Sequence, residues 1–377
     1  MRHPRWDRVA TAWSVTLFSA SLGVGMLAVP LLVIAAGHGL SAVGIFVSIS
    51  ALAQMATRIF IGSAMRRWSE RALLIAAALL LCGGYMLIAF DHHPVAIAAG
   101  MVIEGVARAV YWTSGQTHMI RTSNSSGSSL ALFMLVSSIG LAVGPLVGGV
   151  LSGRAPELAL IGAAVIAFAS VPAVFFFVER LALFEARKSS ESGSLWRRSG
   201  LNVACWISAS SGAWRAILTA YVPLILTEGG HAPGTIGALL SLTNVCTIAG
   251  SVFVGWVGRR RQASAVFVAV ALSSVPVMVL ALLAGEIWVA GAALVLTGVG
   301  GGALQTLGPA IAADKSGSDE LADVIALVGI FRSGATFAAP LLIAAVVFAL
   351  PLAPAMALAG VALSAPLLAH SQLRPRR

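Results

Sequence analysis

Residues 72–90 read ALLIAAALLLCGGYMLIAF, an apolar stretch that contains no charged side chain. A spanning helix needs about 20 mainly apolar residues, because each residue rises about 1.5 Å and the hydrocarbon core of a bilayer is about 30 Å thick. The stretch therefore predicts a helix that crosses a membrane.

Comparable stretches follow one another along the whole chain, separated by short polar loops. We identify twelve of them, at 11–36, 41–64, 72–90, 94–118, 130–151, 158–178, 200–226, 233–257, 263–284, 287–311, 321–348 and 352–370. Since each is long enough to cross a bilayer as a helix, the sequence predicts an all-α, polytopic membrane protein with 12 transmembrane helices.

The composition argues against a water-soluble enzyme. Of the 377 residues, 58% are hydrophobic and only 10% are charged, whereas a soluble domain carries roughly 25% charged residues. The 39 glycines suit the packing of helices in lipid, where small residues let two backbones approach closely. The three cysteines form no CxxC pair and are interpreted as packing residues.

The net charge of +10 indicates topology through its distribution. Basic residues cluster in the N-terminus, in the C-terminus and in every second loop, and Arg154 alone falls in a loop of the opposite side. This bias places both termini in the cytoplasm and the protein in a plasma membrane, such as a bacterial inner membrane. No long basic run is present, so we expect the lipid bilayer and not nucleic acid as the partner.

The longest polar stretch, 179–199, divides the chain into two halves of six predicted helices. We interpret it as a cytoplasmic linker between an N-terminal bundle, 1–178, and a C-terminal bundle, 200–377. The halves show a faint repeat, since Gly144-Pro145-Leu146 in the fifth span corresponds to Ala339-Pro340-Leu341 in the eleventh. Parallel repeats of six helices are a known transporter architecture.

Residues 140–149, GLAVGPLVGG, are the most specific signal in the chain. Gly140, Gly144 and Gly148 recur every four residues, so they form one helix face without side chains. Pro145 removes a backbone donor and bends the helix. Ordinary packing of small residues remains an alternative explanation of the pattern.

This stretch resembles the GxxxGPxxGG antiporter motif in the fifth helix of exporters of the major facilitator superfamily. Gly140, Gly144, Pro145, Gly148 and Gly149 occupy its positions. The resemblance implies two six-helix bundles, and a stiff, tightly packed hinge in the fifth helix that limits leak and favours exchange. We therefore expect a transporter similar to the drug/proton or metabolite/proton antiporters of that superfamily.

A second motif of the same superfamily, GxxxDRxGRR, is expected between the second and third helices. The corresponding residues 62–71 read GSAMRRWSER. Gly62, Arg67 and Arg71 match the motif, whereas Arg66 stands in place of its acidic residue. The resemblance implies a role in gating for this segment.

The loop between the tenth and eleventh spans is the one acidic loop on the predicted cytoplasmic side. Its acidic residues are Asp314, Asp319, Glu320 and Asp323. We hypothesise that this loop pairs with Arg66 and Arg67 when the cytoplasmic side is closed. Exposed pairs contribute about 0–1 kcal/mol each, so the loop would bias the gate, and a solvated loop is the alternative.

Charged residues inside spans are costly and therefore indicate function. Glu104 and Arg108 of the fourth span are spaced i, i+4 and predict an ion pair on one helix face, which Trp112 continues. Burial favours the protonated form of a carboxyl, and a neighbouring arginine favours the ionised form. Glu104 and Arg108 are therefore the candidates for proton coupling, with a static ion pair as the alternative.

Arg215 in the seventh span and Arg332 in the eleventh add an excess of positive charge to the interior. Arginine binds carboxylates and phosphates through its planar fork, so an anionic substrate is a second possibility. The remaining candidates for substrate binding are polar or aromatic residues of the spans. They are Trp112, Gln116, Trp214, Asn244 and Gln305.

The sequence contains no GxxxxGK[ST], GxSxG or HExxH motif, so we expect no cofactor, no metal and no enzyme activity. The best interpretation is a monomeric secondary transporter that works by alternating access. It would export a drug-like compound or a small metabolite in exchange for protons. The alternatives are a symporter or exchanger of organic anions and, from another class, a non-transporting receptor or an intramembrane enzyme.

Overall fold

A computed structural model describes residues 4–122, 126–178, 181, 201–256, 262–315 and 321–369. Within those ranges the chain forms helices and no strand. The helices are α1 Pro4–Ala35, α2 Leu40–Arg67, α3 Glu70–Phe90, α4 Pro94–Arg121, α5 Ser126–Ser152, α6 Pro156–Phe177, α7 Leu201–Ala220, α8 Val222–Glu228, α9 Pro233–Trp256, α10 Gln262–Leu283, α11 Ile287–Asp314, α12 Leu321–Val347, α13 Leu352–Leu363 and α14 Pro366–Ala369. The predicted all-helical class is confirmed for this part of the chain.

Length and hydropathy identify membrane-spanning candidates among the described helices. Ten of them are long and apolar enough to cross a membrane, and α13 is a shorter apolar helix. Large apolar side chains such as Ile59, Phe90 and Leu282 are exposed on them, as expected where the surroundings are hydrocarbon. The chain is therefore an integral membrane protein, and the count of twelve spans stays a prediction.

The seventh predicted span, 200–226, is one helix in the prediction and two in the structure. Helix α7 ends at Ala220, and α8 begins at Val222 with Pro223 in its first turn. Proline has no backbone donor and is accommodated best in the first turn of a new helix. The hydroxyl of Tyr221, at the break, donates to the carbonyl of Pro340 over 3.1 Å.

The twelfth predicted span, 352–370, is also interrupted. Helix α13 ends at Leu363, and two turn residues separate it from the short α14, which begins at Pro366. The residue before a proline avoids helical backbone angles, so the interruption falls where the sequence places Pro366. A continuous helix over 352–370 was therefore a wrong prediction.

The chain divides into two compact units. The first comprises Met1–His38, Ile49–Arg187 and Ala232–Ser241, and the second comprises Gly39–Ser48, Lys188–His231 and Leu242–Arg377. The predicted linker, 179–199, lies almost wholly outside the described residues. The predicted boundaries of the two bundles therefore stay predictions.

The helices of each unit pack in the same pairs. In the first unit, α1 packs on α5, and α3 packs on both α4 and α6. In the second unit, α7 packs on α12, and α10 packs on both α11 and α13. Gly37 follows α1 and Gly230 follows α8, so each lies just after the first predicted span of its half. Both have left-handed backbone angles, with φ 83° at Gly37 and φ 84° at Gly230. These correspondences agree with the internal repeat predicted from the sequence.

The glycine face of α5 packs directly on the backbone of α1. A Cβ atom on Gly140 would lie 2.7 Å from the Cβ of Ser19, and one on Gly144 would lie 2.6 Å from the Cα of Gly23. Contacts that short do not occur between real atoms, so only glycine fits at these positions. The close backbone packing predicted for this face is present.

The other glycines of the two motifs differ in their surroundings. A Cβ atom on Gly149 would lie 3.0 Å from the Cα of Gly237, which belongs to the same unit. A Cβ atom on Gly62 would meet nothing within 4 Å. Gly62 is therefore not required for packing, in contrast to the glycines of α5.

Candidate functional site

The fourth helix positions Glu104 in the interior of the first unit. The residue is 7% exposed. Its neighbour Gly105 faces α2, where an added Cβ would overlap the carbonyl of Ser50 and lie 2.9 Å from the Cβ of Ala53. The absence of a side chain at Gly105 thus lets α2 approach α4 closely enough for Ser50 to reach the carboxyl group of Glu104.

Two partners hold the carboxyl group of Glu104. Arg108 Nη1 lies 3.8 Å from Oε1, and the hydroxyl of Ser50 donates a hydrogen bond to Oε2. The predicted ion pair between Glu104 and Arg108 is therefore present, and Ser50 is a partner that the sequence did not predict. At 3.8 Å the ion pair is longer than a hydrogen bond.

Two other acidic residues, Asp7 and Glu70, are buried in the first turns of α1 and α3. Asp7 is 2% exposed because α1 begins at Pro4, several residues before the predicted start at 11. His118 Nε2 lies 3.1 Å and 3.2 Å from the two carboxyl oxygens of Asp7. Glu70, also 2% exposed, accepts a hydrogen bond from Arg121. A carboxyl–histidine contact and an ion pair therefore lie in the same unit as Glu104.

Polar groups also join α1 to α4 between Glu104 and the contact of Asp7 with His118. The hydroxyl groups of Tyr111 and Ser14 share a hydrogen bond, and the ring of Tyr111 stacks on Phe18 with a centroid distance of 3.7 Å. Trp112 packs edge-on against Phe133 at 5.6 Å, which accounts for its position without a ligand. Among the other α4 candidates, Gln116 is half-buried.

In the second unit, the structure brings together two residues that were predicted separately. Arg215 Nη1 on α7 donates to Asn244 Oδ1 on α9 over 2.9 Å. An amide oxygen is neutral, so this hydrogen bond does not neutralise the guanidinium charge. The pair presents a cation and an amide side chain from two neighbouring helices.

Trp214 belongs to the core of the second unit. Its side chain is 1% exposed, and its indole nitrogen donates to the hydroxyl of Thr297 over 2.8 Å. An added Cβ on Gly301 would lie 2.5 Å from an indole carbon, so the ring fills the space that this glycine leaves. These contacts assign Trp214 to packing and give no support to the predicted substrate contact.

The remaining candidates of the second unit lie on α11 and α12. Gln305 is half-buried, and the side chain of Arg332 is exposed. The carbonyl group of Arg332 accepts a hydrogen bond from Thr336 and packs against Gly212 of α7. The backbone at Arg332 is therefore fixed by the contact between α7 and α12.

The predicted gating contact is not described by the structure. Arg66 and Arg67 are exposed at the end of α2. Asp319 and Glu320, together with the side chain of Asp323, lie outside the described residues. Pairing between these acids and the two arginines therefore stays a prediction. In the described ranges, no group of three or more His, Cys, Asp or Glu side chains is arranged to hold a metal ion.

These features define a class of protein: a helical integral membrane protein with ionised side chains held inside its helix packing. The sequence profile MFS_1, described as Major Facilitator Superfamily, matches residues 13–340. The chain therefore belongs to the major facilitator superfamily, a family of membrane transporters. No protein with a curated function matches the chain.

Solved structures of transporters share this fold over nearly their full lengths. A crystal structure of the nucleoside transporter NupG (D323A mutant) has a TM-score of 0.83 at 10% identity, covering 97% of this chain and 98% of that chain. A bacterial homolog of the human lysosomal transporter Spinster, inward-facing and unoccupied, has a TM-score of 0.79 at 10% identity, with 98% and 96% covered. At this identity the likeness shows the fold alone.

Proposed function

We propose that the chain is a secondary active transporter that exports a drug-like compound or a small metabolite in exchange for protons. Twelve helices in two six-helix bundles would rock about a central site to give alternating access. Both termini would lie in the cytoplasm, and the protein would function as a monomer in a bacterial inner membrane. The observation that carries this proposal is the buried carboxyl group of Glu104 between Arg108 and Ser50.

Glu104 can exist in two states that differ in charge. As a carboxylate it pairs with Arg108 and accepts the hydrogen bond of Ser50. When protonated, it keeps a hydrogen bond with Ser50, because a hydroxyl group can donate or accept. It then no longer balances the charge of Arg108. Binding of a proton thus changes the net charge of this cluster by one unit, which is the change that a coupled transporter requires.

The packing of α5 supports the same proposal. The glycine face of α5 holds α1 at backbone contact distance, and a tightly packed joint of this kind limits leak of protons and water. The superfamily motif that these glycines match is typical of antiporters. Glu104 would therefore exchange its proton within a unit whose helices are closely packed.

The test is a proton-flux measurement on the purified protein in proteoliposomes. A thermal-shift screen first selects the compound that stabilises the protein most, since a ligand at about 100 times its Kd adds about 2.7 kcal/mol of stability. Addition of that compound should then drive proton movement against the compound, as recorded by an internal pH dye. Transport of the compound without any proton movement would refute the coupling.

Arg215 and Asn244 favour a second candidate function, the transport of an organic anion. A guanidinium group beside a neutral amide is suited to bind a carboxylate or phosphate group. The guanidinium can donate two parallel hydrogen bonds to the oxygens of such a group. Arg108 and Arg332 are further cations of the predicted spans. In this alternative, the substrate itself carries charge across the membrane, either in place of the proton bound by Glu104 or together with it.

We expect Arg215→Lys to distinguish organic-anion transport from proton-coupled export of a drug-like compound or metabolite. Lysine keeps the charge but cannot form the planar fork, so thermal stabilisation by carboxylates and organic phosphates should fall by about tenfold in apparent affinity, equivalent to about 1.4 kcal/mol. Arg154→Lys, an exposed substitution on the opposite predicted side, is the matched control. Unchanged anion binding in Arg215→Lys would exclude this residue from the site.

A further inference from the structure

A second buried acid–base pair lies at the predicted cytoplasmic end of the first unit. Asp7 of α1 and His118 of α4 are 2% and 0% exposed. Both carboxyl oxygens of Asp7 lie within hydrogen-bond distance of His118 Nε2. When Asp7 is a carboxylate it can only accept hydrogen bonds, so in that state Nε2 carries the proton. The contact therefore fixes which nitrogen of the neutral imidazole is protonated.

The other ring nitrogen is the position where a proton can be added. Within the described part of the chain, the buried His118 Nδ1 has no hydrogen-bond partner. In the neutral ring this nitrogen is an acceptor with a free lone pair. Protonation there gives an imidazolium whose charge is balanced by Asp7. The pair thus combines a proton acceptor with a fixed counter-charge.

His118 lies on the same face of α4 as Glu104. At 3.6 residues per turn, Arg108, Tyr111 and His118 fall within about 40° of Glu104 around the helix axis. The separation of 118 − 104 = 14 residues places His118 about 21 Å from Glu104 along the helix. Between them, the hydroxyl groups of Tyr111 and Ser14 form a hydrogen bond at the α1–α4 contact. One helix face therefore carries polar groups from the buried carboxyl group to its predicted cytoplasmic end.

We propose that Asp7 and His118 form a proton-exchange site through which protons pass between Glu104 and the cytoplasm. This inference rests on the proposed proton coupling at Glu104. The O–H bond of Glu104 breaks as its carboxylate returns to Arg108, and an N–H bond forms at His118 Nδ1. Tyr111 lies about 10 Å along α4 from both Glu104 and His118, so water molecules on either side of the Tyr111 and Ser14 hydroxyl groups would carry the proton across these two gaps. His118 is 0% exposed in this structure, so the imidazolium would give its proton to cytoplasmic water in a state in which water reaches the ring. One proton moves and no electron is transferred.

Several other charged groups of the neighbouring helices have partners of their own. Helix α4 packs against α1, α3 and α5 and also contacts α2, whose Arg66 and Arg67 are exposed. On α1, Arg8 donates to the carbonyl of Thr122, and on α3, Glu70 accepts a hydrogen bond from Arg121 of α4. Arg71 of α3 is turned towards Phe175. Residues 126–152 of α5 contain no ionisable side chain. Among the described residues, Asp7 is the charged group that contacts the ring of His118.

The first test reads the protonation of His118 without a transport substrate. The probe is the proton itself, applied to the full chain in a bilayer of phosphatidylethanolamine and phosphatidylglycerol with isotope-labelled histidine. The His118 signals in a nitrogen NMR spectrum are identified by their loss in His118→Gln. We expect a neutral ring with an unprotonated Nδ1, and the signal of a protonated Nδ1 should appear when the sample is acidified. In Asp7→Asn the signal of the protonated Nδ1 should be lost.

The second test reads the relay to Glu104. After a pH jump, the carboxylic acid band of Glu104, identified by its loss in Glu104→Gln, reports protonation in infrared difference spectra. We expect at least a tenfold slower response in both His118→Gln and Tyr111→Phe. His231→Gln, a histidine of the second unit that bonds to Ala284, is the matched control and should respond as the wild type does.

The outcomes separate this inference from the proposed function. If His118 stays in one protonation state, or if the Glu104 band responds at the wild-type rate in folded His118→Gln, the relay is refuted while coupling at Glu104 stands. A Glu104 band that never changes in the wild type refutes the coupling and the relay together. Should His118→Gln not fold, the titration of wild-type His118 and the rate in Tyr111→Phe decide the question.

Discussion

Glu104→Gln should reduce substrate-driven proton flux in proteoliposomes to the level of empty liposomes. Glutamine has nearly the shape of a protonated glutamate and keeps a hydrogen bond to Ser50, but it cannot release a proton. We expect a loss of at least about 100-fold, equivalent to about 2.7 kcal/mol. Exchange of labelled for unlabelled compound needs no net proton movement, so it should remain within about threefold of the wild type, which is about 0.65 kcal/mol.

A control variant shows whether the loss is specific to Glu104. Glu157 in the first turn of α6 is half-buried beside His92, with 3.7 Å between His92 Nε2 and Glu157 Oε1. Glu157→Gln removes the same charge from the same unit, and we expect it to retain wild-type flux. The prediction is contradicted if Glu104→Gln keeps its proton flux, or if both variants lose it to the same extent. Equal melting temperatures would exclude misfolding as the cause.

The helices could be predicted well because the bilayer leaves few alternatives. Each backbone donor and acceptor in hydrocarbon must be satisfied within the segment, so a long apolar run predicts a helix. The break at Tyr221 was missed because Pro223 alone is not a reliable signal. Prolines inside helices, such as Pro30 of α1 and Pro145 of α5, leave those helices continuous.

The candidate site could be predicted only where its partners are close in sequence. Glu104 and Arg108 are one turn apart on a single helix, so their spacing alone predicts the ion pair. Ser50 is 54 residues from Glu104, and no local pattern indicates that α2 approaches α4 at that point. The signal that was available is Gly105, a small residue next to a buried charge.

The pair formed by Asp7 and His118 was missed for a different reason. Its residues are 111 positions apart, and the first turns of α1 are too polar to be recognised by hydropathy. The spacing of His118 from Glu104, however, is close to a whole number of turns on one helix face. A search of each predicted span for ionisable residues in register with a buried charge would have identified His118, but not its partner Asp7 on α1.

Gly144→Leu should prevent the first unit from packing correctly, and Gly144→Ala should measure the cost. The added Cβ would overlap the carbonyl of Ala20 and lie 2.6 Å from the Cα of Gly23, both of which are backbone atoms of α1. Backbone cannot rotate away as a side chain can, so α1 and α5 must move apart along their contact. Overpacking of a close-packed interior costs about 1–3 kcal/mol for small additions. We expect Gly144→Ala to lose that amount in denaturant titrations and Gly144→Leu to give little folded protein.

Two other glycines test whether this effect comes from the contact and not from the residue type. An added Cβ at Gly62 of α2 or at Gly83 of α3 meets nothing within 4 Å, and both glycines lie in helices, where alanine is favoured by about 1 kcal/mol. Gly62→Ala and Gly83→Ala should therefore be as stable as the wild type or more stable. Gly62 belongs to a superfamily motif as Gly144 does, so a rule based on motif membership would predict equal damage. Contact with the backbone of α1 predicts damage at Gly144 alone, and equal stability of all three alanine variants would show that the contact between α1 and α5 does not require glycine.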